Sequence, residues 1–330
     1  MQYIGLIGTG FTGEVHADCF SRIKEAKLYS VFSIDTEKAE FFAKKYNAKL
    51  CSSIEELLNN EKISVVDICA PTPFHKTIAL NAIKKGKDVI CEKPISLTVE
   101  DAELMINTAE KNGKKLFIAH VLRFFPEYLK TKEIVDSGRL GSIGTVRMTR
   151  AAGIPSGYDN WYIDRNKSGG VLIDLLIHDF DFLRWCFGDV KRIYAKNIGK
   201  GRRLKIDYAL VLMRFQNGVI AHLEGSWAHK PGSFFTKIEI AGNNGLLTFD
   251  SRSSVPVQIS INKQEDNVKD VIIPESPVKK SPYLLELEHF IDCLENDREP
   301  IINPYDALKA LELGILAVKS SNTGEVIELQ

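Results

Sequence analysis

The chain has 330 residues, with 43 Lys+Arg against 43 Asp+Glu, 44% hydrophobic and 26% charged residues. A formal net charge of zero supplies no general attraction to nucleic acid or to an anionic membrane, and neither is expected as a partner. No stretch reaches the roughly 18 apolar residues of a membrane span, the start MQYIGLIGTG lacks a signal-peptide pattern, and six scattered cysteines without a C-x-x-C pair fit reduced thiols, so a cytoplasmic location is expected.

Along residues 1–122, β-rich runs alternate with helical ones. YIGLIG (3–8) reads as a strand, 14–26 as a helix, LYSVFSID (28–35) as a strand and TEKAEFFAKKY (36–46) as a helix. ISVVDICA (63–70) reads as a buried strand, HKTIALNAIKKG (75–86) as a helix and DVICE (88–92) as a strand. A helix over 98–113, capped by Thr98 and ended by Gly113, leads into the strand KLFIAH (115–120). Repeated βα units with apolar strands imply a parallel sheet covered on both faces, a Rossmann-type domain.

From residue 123 the rhythm changes. Helices at about 126–138 and 171–187 flank the alternating segments GTVRMTRAAG, KIDYALVLMRFQNGVIAHLEGSW, FTKIEIAGNNGLLTFD and VPVQISINK. Gln216-Asn217-Gly218 and Asn243-Asn244-Gly245 are hairpin signals. The expected class is α/β: a dinucleotide-binding domain over 1–122, then an α+β domain over 123–330 with an open, mainly antiparallel sheet. Residues 283–320 read as helical, in a position to pack back on the first domain.

GTGFTG places Gly8, Gly10 and Gly13 directly after the first strand and at the start of a helix. Alone, G-x-G-x-x-G is a weak signal. Here Gly8 permits a tight turn, Gly10 lets backbone approach a pyrophosphate, and Gly13 lets helix pack on strand. The free amides of the helix N-terminus then face the phosphates. Asp35 ends the second expected strand, placed to accept hydrogen bonds from an adenosine ribose. Thr36 and Glu37 follow, with no arginine for a 2′-phosphate, so NAD is expected ahead of NADP.

EKPIS (92–96) lies where the strand 88–92 ends, at the crevice in which open parallel sheets bind ligands. Lys93 is therefore placed to emerge beside the nicotinamide; a solvated lysine at a strand end is the plain alternative. Further on, GGVLIDLLIHDFDFLRW carries Asp174, His178 and Asp181 on one stripe of an expected helix otherwise filled by Val171, Leu172, Leu175, Leu176, Phe180 and Leu183. Charges on so apolar a helix are costly unless paired or used. A structural Asp–His hydrogen bond, a metal site and an acid/base pair are the three readings. A metal is disfavoured, because Lys93 and a cationic nicotinamide would oppose a divalent ion.

Taken together, the glycine loop, EKP and SGGVLIDLLIHDFDFLRW make the chain resemble the Gfo/Idh/MocA oxidoreductases over nearly its whole length. APTPFH, LRFFPEYLKTKEIVDSGRLG and YLLELEHFIDCLENDREP belong to the same likeness. The resemblance implies that Lys93 contacts the hydroxyl being oxidised, that His178 takes the alcohol proton, and that Asp174 sets its tautomer. It extends the cofactor contacts to Phe11, Thr12, Pro71, Thr72, His75 and Glu92, with Glu92 expected to fix local structure. His120 and Arg123 are candidates to hydrogen-bond a polyol, Asp181 is either a ligand of a substrate hydroxyl or a group behind those ligands, and Trp161 lines either the sugar site or the core. The implied activity is an NAD(H)-dependent dehydrogenase acting on a secondary alcohol of a sugar or cyclic polyol such as an inositol, in a homodimer or homotetramer. A sugar-nucleotide or anhydro-sugar substrate, and a non-catalytic ligand-sensing regulator, are the alternatives. His16, His222, His229 and His289 attract no role.

Overall fold

The structure, a computed structural model, describes residues 1–199, 206–253, 257–261 and 280–329. It divides into two compact units. Unit 1 comprises Met1–Phe124, Gly157–Trp161 and Lys280–Leu311; unit 2 comprises Phe125–Ser156, Tyr162–Lys279 and Glu312–Gln330.

Unit 1 runs β1 (Gln2–Ile7), α1 (Phe11–Phe20), β2 (Ala26–Phe32), α2 (Thr36–Lys45), β3 (Lys49–Leu50), α3 (Ile54–Leu58), β4 (Val65–Ile68), α4 (His75–Lys84), β5 (Asp88–Glu92), α5 (Val99–Lys111) and β6 (Leu116–Ala119). Its sheet has the order β3-β2-β1-β4-β5-β6, with every pair parallel. The strand order reverses between β1 and β4, and the carboxyl ends of the strands there form the crevice in which such sheets bind ligands. Every residue of β4 and β6 is buried, as a sheet covered on both faces requires.

Start and stop signals act where they stand in the chain. Thr98 Oγ1 accepts a hydrogen bond from Asp101 N at 3.2 Å to open α5, and Gly113 adopts a φ of 61° beyond its end. The helix expected over 14–26 stops at Phe20. Ile23 and Ala26 are buried in the core, so their apolar spacing belongs to a turn entering β2. β3 and α3 are absent from the sequence reading, because two and five residues are too short to show a period. Ile4, Leu6, Phe20, Val31, Ile90 and Phe117 share one core with Leu287, Phe290 and Ile291 of the helix Pro282–Glu295, where Phe117 stacks on Phe290 at 4.8 Å.

Later elements are α6 (Pro126–Asp136), β7 (Ile143–Ala152), α7 (Arg165–Ser168), α8 (Ile177–Phe187), β8 (Val190–Ile198), β9 (Tyr208–Phe215), β10 (Ile220–Ser226), β11 (Phe234–Gly242), β12 (Gly245–Asp250), β13 (Val257–Ile261), α9 (Pro282–Glu295), α10 (Pro304–Thr323) and β14 (Ile327–Glu328). The sheet of unit 2 has the order β13-β12-β11-β7-β10-β9-β8-β14 and is antiparallel except for the β7/β10 pair. Both hairpin signals hold, 216–218 joining β9 to β10 and 243–244 joining β11 to β12. β8 was not read from the sequence, and the segments beginning at Lys205 and Val255 lie in part outside the described residues. The helical run 283–320 is two helices: the first ends at Glu295, Asp297 follows with a φ of 48°, and Pro304 opens the second.

The expected helix 171–187 is also divided. Val171–Leu175 forms a π-helical turn and the α-helix starts at Ile177. Gly169 and Gly170, with φ of 76° and 69°, turn the chain into it. Among the described residues no helix is long and apolar enough to cross a membrane.

Candidate active site

Unit 1 supplies a dinucleotide cradle. A Cβ on Gly8, whose φ is 106°, would lie 2.6 Å from Cys69 O, so only glycine lets the end of β1 approach the end of β4. A Cβ on Gly13 would lie 2.2 Å from Gly8 O. Gly10 differs: a Cβ there would meet nothing within 4 Å, the room a pyrophosphate needs. Gly10 caps α1 without a side-chain hydrogen bond, which leaves the first-turn amides to an anion. Phe11 is exposed and Thr12 half-buried beside them. β2 ends at Phe32 rather than at Asp35. Asp35 instead caps α2, its Oδ1 accepting from Lys38 N at 3.1 Å and its Oδ2 lying 3.6 Å from Lys38 Nζ. The open amide end and this half-exposed carboxylate fit NAD.

The ends of β4 and β5 form the other side of the crevice. Pro71 leads into a 3-10 turn, Thr72–Phe74, in which Thr72 is buried. His75 is buried between Pro94 O at 2.9 Å and Ala70 O at 2.8 Å, and burial holds its pKa below the ordinary value. As a neutral ring His75 donates to only one of these two carbonyls, and it is enclosed where the two loops meet beside the lysine segment. Glu92 Oε2 accepts from Lys93 N at 3.1 Å, Lys93 is half-buried, and the Lys93–Pro94 peptide is cis. His120 is fully enclosed. Arg123, also buried, donates to Ile301 O at 2.8 Å and to Asp306 Oδ2 at 3.3 Å, a tie between the 121–124 turn and the start of α10.

Behind Glu92 lies a group that sequence reading left out. His16 Nδ1 donates to Asp67 Oδ2 at 2.9 Å, and its Nε2 lies 3.4 Å from Glu92 Oε1. Burial opposes a charge on His16, yet Cys69 and Asp67 outweigh it and raise the imidazole well above its ordinary pKa. Burial would raise Glu92, but His16 outweighs it and the carboxyl lies below its ordinary value. The available signal was Asp67, a charge inside the apolar strand VVDI, where it cannot sit unpaired.

In unit 2, every residue from 171 to 183 is buried except His178, which is half-buried. Asp174 sits in the π-helical turn and His178 in α8, so the regular spacing of 100° per residue does not relate them. Asp181 is fully enclosed. Asp179, passed over in the sequence, is fixed from β7: Arg150 Nε donates to Asp179 Oδ2 at 2.6 Å, and its Nη2 to Asp179 Oδ1 at 2.9 Å and Tyr128 Oη at 3.0 Å. This bidentate pair anchors the helix whose next-door residue is His178. Trp161 is half-buried in the 3-10 segment Tyr158–Ile163. A cavity of about 190 Å³ is lined by Tyr162, Asp164, Arg165, Asp207 and Trp227 among others, and by none of Asp174, His178 or Asp181.

Residues 3–120 match the Gfo/Idh/MocA profile described as "Oxidoreductase family, NAD-binding Rossmann fold", and residues 132–329 match its companion, "Oxidoreductase family, C-terminal alpha/beta domain". The chain is 29% identical over 336 residues to the myo-inositol 2-dehydrogenase of Thermotoga maritima, across 99% of this chain and 98% of that one. It is 27% identical over 337 residues to the 1,5-anhydro-D-fructose reductase of Ensifer adhaerens, across 100% and 99%. The fold matches the crystal structure of GenD2 from gentamicin A biosynthesis in complex with NAD, with a TM-score of 0.88 at 24% identity over 100% of this chain and 96% of that one. With both family domains present along its length, this chain belongs to the Gfo/Idh/MocA oxidoreductases and is an NAD-dependent oxidoreductase acting on CH–OH groups.

Proposed function

We propose that the protein oxidises a secondary alcohol of a sugar or cyclic polyol of the inositol type, with Lys93, Asp174 and His178 handling the proton. The observation that carries this reading is the single break in an otherwise buried stretch: His178 alone is accessible between 171 and 183, with the buried Asp174 one turn before it. NAD, when bound, supplies the hydride acceptor. His178 takes the alcohol proton, Asp174 holds the imidazole in the tautomer that can accept it, and Lys93 steadies the developing alkoxide. The glycine loop and Asp35 hold the dinucleotide, and His75 and Glu92 hold the loop that carries Lys93. Likeness to a 1,5-anhydro-D-fructose reductase favours, as second reading, reduction of an anhydro-sugar ketone at the same groups.

Exposed Leu210, Leu212, Ile220 and Leu246 on the open sheet of unit 2 support a homodimer or homotetramer, which light scattering would reveal. Function is tested by NAD reduction over a panel of inositols and sugars, with ketone reduction by NADH as the reverse arm. On the active compound, His178→Ala and Lys93→Met should lower kcat by about two orders of magnitude or more, with NADH affinity within a few-fold of wild type. Asp174→Asn should fall between. A His178→Ala protein turning over at the wild-type rate removes histidine from the mechanism, and no turnover on any member of the panel overturns the inositol and sugar reading of the substrate.

A further inference from the structure

Three side chains of unit 1 that meet between α1 and the end of β4 have no task in the chemistry proposed above. His16 comes from α1, Asp67 from β4, and Cys69 from the residue that follows β4. Asp67 and Cys69 stand two apart, so an extended chain turns both to the same face of the sheet. His16 Nδ1 lies 2.9 Å from Asp67 Oδ2 and 3.4 Å from Cys69 Sγ, and that sulfur lies 3.7 Å from the same carboxyl oxygen. His16 and Asp67 are 0% exposed, while Cys69 keeps some accessible surface.

The size of this triangle is that of a coordination shell. A circle through the three donor atoms has a radius of about 2 Å, close to a zinc–nitrogen or zinc–oxygen bond and a little under the zinc–sulfur bond of about 2.3 Å. An ion just off the plane of the donors therefore reaches all three. Independently, Asp67 Oδ1 is enclosed with no hydrogen-bond partner, and an empty buried acceptor calls for a water or an ion. His16 is also backed as metal-binding histidines are. Its other nitrogen, Nε2, faces Glu92 Oε1 at 3.4 Å, and a carboxylate in that place fixes the ring and raises its basicity. The second oxygen of Glu92 accepts from Lys93 N, so a carboxyl group stands between the trio and the lysine segment. Burial opposes a positive charge here, yet Cys69 and Asp67 outweigh it at His16.

We propose that His16 Nδ1, Asp67 and Cys69 Sγ bind a zinc ion, which ties α1, the helix opened by the glycine loop, to the end of β4. One nitrogen, one oxygen and one sulfur suit zinc, whereas magnesium and calcium take oxygen ligands. Three protein donors leave a fourth position to water. As the coordinate bonds form, two protons leave to solvent. One is the proton between His16 and Asp67, and the other is that of the Cys69 thiol, which burial holds at a pKa of about 12. Nothing is oxidised or reduced. The site does not depend on which alcohol the protein oxidises.

The full chain, reduced and stripped with a chelator, is titrated with Co²⁺ and then with Zn²⁺. Co²⁺ should give a thiolate-to-metal charge-transfer absorption that saturates at one ion per chain and is bleached by Zn²⁺. Cys69→Ser should lose that absorption, whereas Cys186→Ser, at a half-buried thiol of unit 2, should keep it. Zinc affinity, read by competition with a chromophoric chelator, should fall about tenfold or more in Cys69→Ser. X-ray absorption of the zinc-loaded wild type is a measure that no folding defect can mask, and it should show one sulfur among nitrogen and oxygen neighbours. A shell of nitrogen and oxygen alone marks zinc held by surface groups and overturns the proposal. So does the absence of a charge-transfer band in the wild type, or a Cys69→Ser protein that binds zinc as tightly as wild type.

Discussion

Both units bury charge, and they do so in opposite ways. In unit 2, Arg150 and Asp179 meet through two hydrogen bonds, Tyr128 takes a third, and no charge is left over. Burial lifts Asp179 above its ordinary pKa although Arg150 pulls it back, and Arg150 stays above its own already high value despite burial. In unit 1, His16 lies 2.9 Å from Asp67 and 3.4 Å from Glu92, while neither oxygen of the buried Glu286 carboxyl has a hydrogen-bond partner. A matched pair with two hydrogen bonds serves as a fixed strut for α8. The difference separates burial that ties a helix from burial that leaves polar atoms without a bond.

The comparison breaks most easily at the matched pair. Asp179→Ala strands a buried guanidinium and should cost about 3–5 kcal/mol in urea unfolding, because desolvation is then uncompensated. Arg150→Met with Asp179→Leu removes both charges and should lie much closer to wild type. A single variant costing under about 1 kcal/mol would show that the pair is solvated and the contrast false.

The next effect is smaller and depends on pH. The folded-state pKa of Glu286 is raised, so its contribution to stability is full below the ordinary carboxyl value and is lost as pH rises towards the folded one. Relative to Glu286→Gln, the wild type should therefore lose up to about 1.4 kcal/mol of stability per pH unit in that window. Unfolding midpoints measured at successive pH values check this, and parallel curves for the two proteins would make Glu286 an ordinary carboxylate.

The smallest effect concerns Asp35, which caps α2 and is proposed to hold the ribose as well. NADH should bind at least about tenfold more tightly than NADPH, or about 1.4 kcal/mol. Asp35→Ser keeps a good helix cap but removes the charge, so stability should change little while the preference narrows to a few-fold. Fluorescence titration with both cofactors reads this. An unchanged preference would leave the carboxylate as a cap alone.

Legibility followed the range of the interactions. The βα alternation, the glycine turn, the Thr98 cap and both hairpins were readable because each depends on residues a few positions apart. The candidates Lys93, Asp174 and His178 also stand in short local motifs, and the variant kinetics decide their roles. The π-helical turn at Val171–Leu175 was not, since its apolar pattern is that of an ordinary helix.

His16 attracted no role, although in the fold it lies 2.9 Å from Asp67 and 3.4 Å from Glu92. Glu286 and Asp179 were equally silent, one enclosed in unit 1 and the other facing Arg150 from across unit 2. Backbone conformation is governed by sterics and hydrogen bonds within a few residues, and the chain alone determined it. The ionisation of a side chain is governed by burial and by charges near it in space. Distant segments supply both, so only the tertiary structure decided which of these groups are paired and which are enclosed without a hydrogen bond.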